Sequence, residues 1–288
     1  MKRSLRIGLF ASAALALSSA RGWCQMVINP TFDSSITGLS NASQWESAIN
    51  AADAEFESLF TDPITINITF KANPGTGIFG QSSANGQFVG NYASLKSVLT
   101  ADAKTPDYST MISHFPEADP TSGADYLLMD AQAKALGVRA ANNACTDGTV
   151  TMGAGYGFTF DPSHRAVPGE YDCMGIAEHE ISEVMGRQMM DGENFNGAAG
   201  YEPLDFFHYS AAGVRDFSGT TAGYASPDGG ATNLDNFNTD PNGDFGDWAS
   251  SAGNDSYLAF SGPGHVDAVT ADDIVVMNLL GWDTSSTP

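Results

Sequence analysis

The stretch CMGIAEHEISEVMG (173–186) sets Glu178, His179, Glu180 and Glu183 inside an apolar frame of Ile176, Ala177, Ile181, Val184 and Met185. Apolar residues at this spacing predict a helix from residue 175 onward, and a helix framed this way has to be largely buried. Buried carboxylates and an imidazole are unfavourable without a counter-charge. A bound cation removes that difficulty. The plain alternative is a solvated acidic helix face whose single His is satisfied by a neighbour.

His179 and Glu183 are four residues apart, so they share a helix face and both reach one ion. Where a helix carries H-E-x-x-H, the two His bind zinc and the Glu polarises water and shuttles its proton. This chain has H-E-x-x-E. Imidazole and carboxylate both bind zinc at about 2.0–2.2 Å, so Glu183 is an acceptable ligand, although its charge weakens the ion as a Lewis acid. Candidates for a third ligand are Asp205, His208, His265, His164 and His114. The segment PLDFFHYS (203–210) returns at a plausible distance after Glu183, and Asp205 is favoured over His208. The competing role for Asp205 is a helix cap or a pair with Arg187 or Arg215. Tyr209 reads as an ordinary half-buried tyrosine, with oxyanion donation as the second option. His114, His164 and His265 sit in Pro/Gly loops and read as exposed.

Elsewhere, apolar spacing predicts a helix over 42–60, a half-buried strand over 64–70 and a loop over 72–90. Helices follow near 92–101 and over 125–137, the latter ending at Gly137, and 149–160 reads as a strand. Residues 270–282 read as a helix capped by Thr270 and Asp273 and ended by Gly281. Helices mixed with few strands, without regular β–α–β alternation, indicate an α+β fold. We divide the chain into a leader (1–20), an N-terminal part with the charged helix (21–190) and a loop-rich C-terminal part (191–288).

The leader pairs Lys2, Arg3 and Arg6 with the apolar run IGLFASAALAL and Ser18-Ser19-Ala20, the pattern of a secretory signal peptide. Its removal moves the net charge from −22 to −25. Acidity of this size excludes a nucleic-acid binder that works by neutralising phosphates. No later run is long enough for a membrane span, so the expectation is a secreted or periplasmic protein that is soluble and monomeric. Cys145 and Cys173 either pair or stay as buried thiols, with Cys24 left over. The segment 226–248, with Asp228, Asp235, Asp240, Asp244 and Asp247, reads either as a structural Ca²⁺ loop or as solvated turns.

MGIAEHEISEVMGR (174–187) resembles the active helix of zincin metallopeptidases. INPTFDSSI (28–36), PITINITF (63–70), PLDFFHYS (203–210), DGGATNLDNFN (228–238) and DDIVVMNLLGWD (272–283) are similar to stretches of a group of secreted bacterial metalloproteases. The resemblance implies a zincin-like fold, with the helix below a sheet whose edge strand, placed at 149–160, takes an extended peptide by strand addition. It implies one Zn²⁺ held by His179, Glu180 as general base, and a protein or peptide substrate. The longer metzincin pattern is half met: Glu183 and Gly186 stand at its second-His and Gly positions, and Met189 stands at its third-ligand position. With Glu183 and Asp205 completing the ligand set, the expectation is a zinc endopeptidase. The alternative is a degenerate zincin that binds without turnover. A glycosidase using Glu180 and Glu183 is disfavoured, because two carboxylates three apart on one helix flank a glycosidic bond poorly.

Overall fold

The computed structural model describes residues 25–104, 106–195, 197–218 and 221–285; the leader and Cys24 lie outside them. Strand β1 (Val27–Phe32) leads through α1 (Ser34–Thr37) and α2 (Ala42–Leu59) into β2 (Thr65–Asn73). β1 and β2 pair in parallel, with Ile28 opposite Ile66 and Phe32 opposite Phe70. In β2, buried Ile66, Ile68 and Phe70 alternate with partly exposed Thr65, Asn67 and Thr69, as the period-two pattern predicts. The chain continues through β3 (Gly80–Ala84), β4 (Gly86–Gly90), α3 (Tyr92–Asp102), α4 (Pro106–Ser113), β5 (Asp125–Met129), α5 (Asp130–Ala135) and β6 (Gly148–Gly153). β6 lies parallel to β2 and antiparallel to β3, which gives a four-stranded sheet in the order β1-β2-β6-β3.

Two short strands, β7 (Phe158–Thr159) and β8 (Tyr171–Asp172), deliver the chain into α6 (Cys173–Val184). Beyond it, β9 (Asn194–Phe195) and β10 (Ala198–Tyr201) join β4 and β5 in a second sheet. β11 (His208–Ala211), β12 (Val214–Arg215) and β13 (Tyr224–Ala225) make a third, and α7 (Ala271–Leu279) follows. Among the described residues the structure is mixed α+β, with several small sheets and seven α-helices. Helix α6 packs on β3 and β6 and against α2. One apolar core takes side chains from Met26 to Trp282, so both the 21–190 and 191–288 parts contribute to it. Trp282 packs against Phe60 with its ring tilted and donates Nε1–H to the Met185 carbonyl (3.1 Å), tying the end of α7 to the end of α6.

Three local expectations need correction. The 72–90 stretch is not simply a loop, because it contains β3 and β4. Its Gly, Ser and Asn side chains carry no strand signal, and the pairing is supplied by β6 and β5. The 125–137 stretch begins as a strand: Tyr126–Met129 are buried in succession between β4 and β10, and an unbroken apolar run does not separate strand from helix. Only the shorter α5 is helical, and Gly137 follows its C-cap with φ +70°. Cys145 and Cys173 do not pair; Cys145 is exposed and Cys173 is buried at the start of α6. Among the described residues, no helix is long and apolar enough to cross a membrane.

Candidate metal centre

Every residue of α6 except His179 is buried. The helix ends where Gly186 takes φ +103°, a left-handed conformation that glycine adopts without strain. Its N–H donates to the Glu183 carbonyl (2.9 Å), and the Arg187 N–H donates to the Ser182 carbonyl (3.0 Å). This turn brings Arg187 back beside the helix that carries the charged residues.

His179 Nδ1 lies 2.8 Å from the Ser256 carbonyl oxygen. A carbonyl only accepts, so Nδ1 carries the proton and Nε2 is left to face the carboxylates. Nε2 is 3.5 Å from Glu183 Oε1, one helical turn on. The other Glu183 oxygen accepts from Ser82 Oγ of β3 at 2.7 Å. Glu180 is buried, and its Oε2 has no hydrogen-bond partner. His179, Glu180 and Glu183 each offer a ligand atom within 4.8 Å of the others, so this buried group can hold a metal ion.

A further carboxylate comes from the acidic segment. Asp247 Oδ1 lies 3.5 Å from His179 Nε2. Asp244 and Asp247 form with Glu183 a second group whose ligand atoms lie within 4.8 Å of one another. Backbone pairing holds Asp247 there: the Trp248 N–H donates to the Tyr257 carbonyl (2.8 Å) and the Ala259 N–H to the Trp248 carbonyl (3.0 Å). The Trp248 indole donates to Asp273 Oδ1 (2.7 Å) in the first turn of α7. Asp273 also belongs to the Thr270 capping box read from the sequence. Arg187 closes the arrangement, donating to Asp247 Oδ1 at 2.7 Å. In the same segment, Asp228 and Asp240 accept hydrogen bonds from nearby Thr232 and Asn242, which is turn chemistry.

Asp205 is elsewhere. It lies on a 3₁₀ turn (Pro203–Phe207) in a capping box with Glu202. Its carboxylate accepts from the N–H groups of Glu202 (2.6 Å), Asp191 (2.8 Å) and Met190 (3.3 Å). Those donors occupy it, and it belongs to no group of potential ligands among the described residues. His208 is also apart from the centre, buried beneath Phe237 with its ring edge-on. Tyr209 is buried and bonded to Arg215. His114, His164 and His265 are exposed, as read.

The electrostatics follow from this crowding. Burial alone lowers the His179 pKa, but Asp247 and Glu183 overcome that and lift it to about 10. Burial raises the Glu183 pKa, and the hydrogen bond and charge of His179, with Arg187 and Ser82, bring it down to about 2. Burial, then the charge of Glu183, push Glu180 well above the carboxylate range. The raised pKa values of His179 and Glu180 mean that protons offset the cluster's negative charge near neutral pH, and a divalent cation would take their place. The donor set therefore fits such an ion in charge as well as in reach.

A cleft of about 640 Å³ opens over these residues. Gly77–Gln81, Tyr156, Tyr171, residues 241–244 and Leu258–Ser261 line it. The sheet's outer strand beside the cleft is β3, while β6 is paired on both sides. This corrects the placement of the edge at 149–160: the glycines of 148–153 sit inside the sheet. β3 passes so close to α6 that a Cβ on Gly80 would stand 2.1 Å from Glu180 Oε1. Compared with protein-family models, curated proteins and solved structures, the chain matches none.

Proposed function

We propose that this chain is a secreted, metal-dependent hydrolase, a zinc endopeptidase of zincin-like build. The observation that carries the proposal is one constellation: His179 Nε2 with Glu183 Oε1 and Asp247 Oδ1 each 3.5 Å away. Ligands bound to one tetrahedral ion at about 2.0–2.2 Å stand about 3.3–3.6 Å apart. We assign His179, Glu183 and Asp247 as the residues that would hold Zn²⁺, with Asp247 in the role first given to Asp205. A zinc ion supplies Lewis-acid chemistry, polarising a carbonyl and making water acidic enough to attack near neutral pH.

The chain's own residues do the rest. Ser256 fixes the His179 tautomer, and Ser82 holds Glu183. Glu180 takes a proton from the attacking water and passes it to the leaving amine, as the new C–O bond forms and the C–N bond breaks. Beside a bound cation the buried Glu180 carboxylate would be ionised, the state a proton acceptor needs. The free edge of β3 offers backbone donors and acceptors to an extended peptide lying along the cleft.

The test is metal analysis and a peptide-library assay on the purified chain. Stoichiometric zinc is expected, with turnover that Glu180→Gln lowers by about 10²–10⁴-fold while zinc is retained. A chain without stoichiometric metal, or one whose turnover Glu180→Gln leaves unchanged, sinks the proposal. Zinc without any turnover favours the binding-only alternative.

A further inference from the structure

The mechanism leaves one buried cation without a task. Arg187 is 1% exposed, and its guanidinium is engaged on every side. Nε donates to Ser182 Oγ (2.8 Å), and Nη1 donates to the Gly246 carbonyl (3.2 Å) and to Asp247 Oδ1 (2.7 Å). The Tyr257 ring lies beneath the guanidinium carbon at 4.3 Å. Nη2 is 3.3 Å from His179 Nε2 and 3.8 Å from Glu183 Oε1. Ser182 in turn donates to the His179 carbonyl (2.6 Å).

From these contacts we infer that Arg187 is the positioning residue that makes Asp247 a metal ligand. The inference rests on the metal-site reading above. Asp247 arrives on a segment with little regular structure, sixty residues after Arg187. The fork of Arg187 grips that segment at two points, a backbone carbonyl and a carboxylate, while its stem is fixed to α6 through Ser182. Planar, divergent donors do this in a way that a single ammonium does not. The oxygen Arg187 holds is also the one facing His179 Nε2, so the same contact sets the ligand's distance and offsets part of its charge. The requirement for such an offset comes from the sequence: Glu183 is anionic where H-E-x-x-H has a neutral His. Arg187 follows four residues later, beyond the turn at Gly186, with Nη2 3.8 Å from Glu183 Oε1.

The experiment is Zn²⁺ affinity of the full chain, measured by competition with a chromophoric chelator. Arg187→Met is expected to weaken Zn²⁺ binding about 10–100-fold, as loss of outer partners of metal ligands typically does. Asp247→Asn should weaken it by at least as much, and the double variant should lose no more than Asp247→Asn alone. Arg187→Lys, which keeps the charge without the fork, should recover part of the affinity and still bind about tenfold more weakly than the unaltered chain. It serves as the deciding variant if Arg187→Met does not fold. The Co²⁺-loaded chain gives an independent readout: its visible absorption should shift in Arg187→Lys toward that of Asp247→Asn. Unaltered affinity in Arg187→Lys, or losses that multiply in the double variant, overturns the inference while the metal site stands. Absence of Zn²⁺ binding in the unaltered chain overturns the metal-site reading itself.

Discussion

Helix α6 and the segment from 238 to 258 each bring carboxylates to the same point, and they do so by opposite means. On α6, the mutual placement of His179, Glu180 and Glu183 is fixed by helical geometry and needs only that the helix forms and is buried. In the loop, Asp247 has its place only because Trp248 pairs with 257–259, Asp273 holds the Trp248 indole and Arg187 reaches across. A local rule builds one half of the centre. A set of contacts distant in sequence builds the other. Damage to the first half should therefore remove the chemistry directly, whereas damage to the second should act through position.

The largest effect expected from separating these halves is on metal affinity. Asp247→Asn should weaken zinc binding about 10–100-fold or more, and it should also lower the melting temperature of the metal-free chain, because buried Arg187 loses the charge of its partner. Asp205→Ala should act on stability alone. It removes the acceptor for three backbone N–H groups, so it should cost about 1–3 kcal/mol of stability by denaturant titration and leave zinc affinity where it was. If Asp205→Ala abolishes zinc binding in a folded chain, the assignment of the loop as the second half is wrong.

A smaller effect probes the helix half at its contact with β3. Gly80 has room for no side chain, since an added Cβ would meet Glu180 Oε1 at 2.1 Å and Ile176 Cγ2 at 3.1 Å. The carboxylate is the movable party. Gly80→Ala should therefore displace Glu180, slow peptide hydrolysis about 10–100-fold and leave zinc affinity unchanged. Equal loss of both would mean that the substitution disturbs the whole helix instead of one side chain.

This contrast also accounts for how much could be read from the sequence. The helix, its burial and the roles open to His179, Glu180 and Glu183 follow from spacing and from the apolar frame. The strand 64–70 and the Thr270–Asp273 cap were equally legible, because each rests on neighbours a few residues away. Asp247 was visible only as one acid among several in a turn-rich segment. Nothing local separates it from Asp228 or Asp240, which accept hydrogen bonds from residues close by. Asp205 stood at an attractive distance in sequence, but a capping Asp and a ligand Asp look alike until the backbone around them is known. β3 was missed because GQSSA has no strand-forming side chains and takes its order from β6. Arg187 was visible as a possible partner, but its role depends on where the loop comes to rest.

The smallest effect concerns what supports the helix half. α2 packs against α6, and it buries Asp53 with neither carboxylate oxygen hydrogen-bonded. Burial, reinforced by Glu57, raises its pKa from 3.8 to about 8. A folded pKa above the unfolded one means that the native state holds this proton more tightly. The stabilisation is thus complete below about pH 4 and is lost progressively as the pH rises toward 8. Asp53→Asn removes the titration. Relative to this variant, the unaltered chain should lose about 1–2 kcal/mol between pH 5 and pH 6 by urea denaturation. Zinc affinity at fixed pH should not differ between the two. Parallel stability curves would show that Asp53 reaches a partner or solvent in solution. The helix half would then rest on satisfied polar contacts, as the loop half does, and the difference between the two halves would narrow to the geometry of the ligands alone.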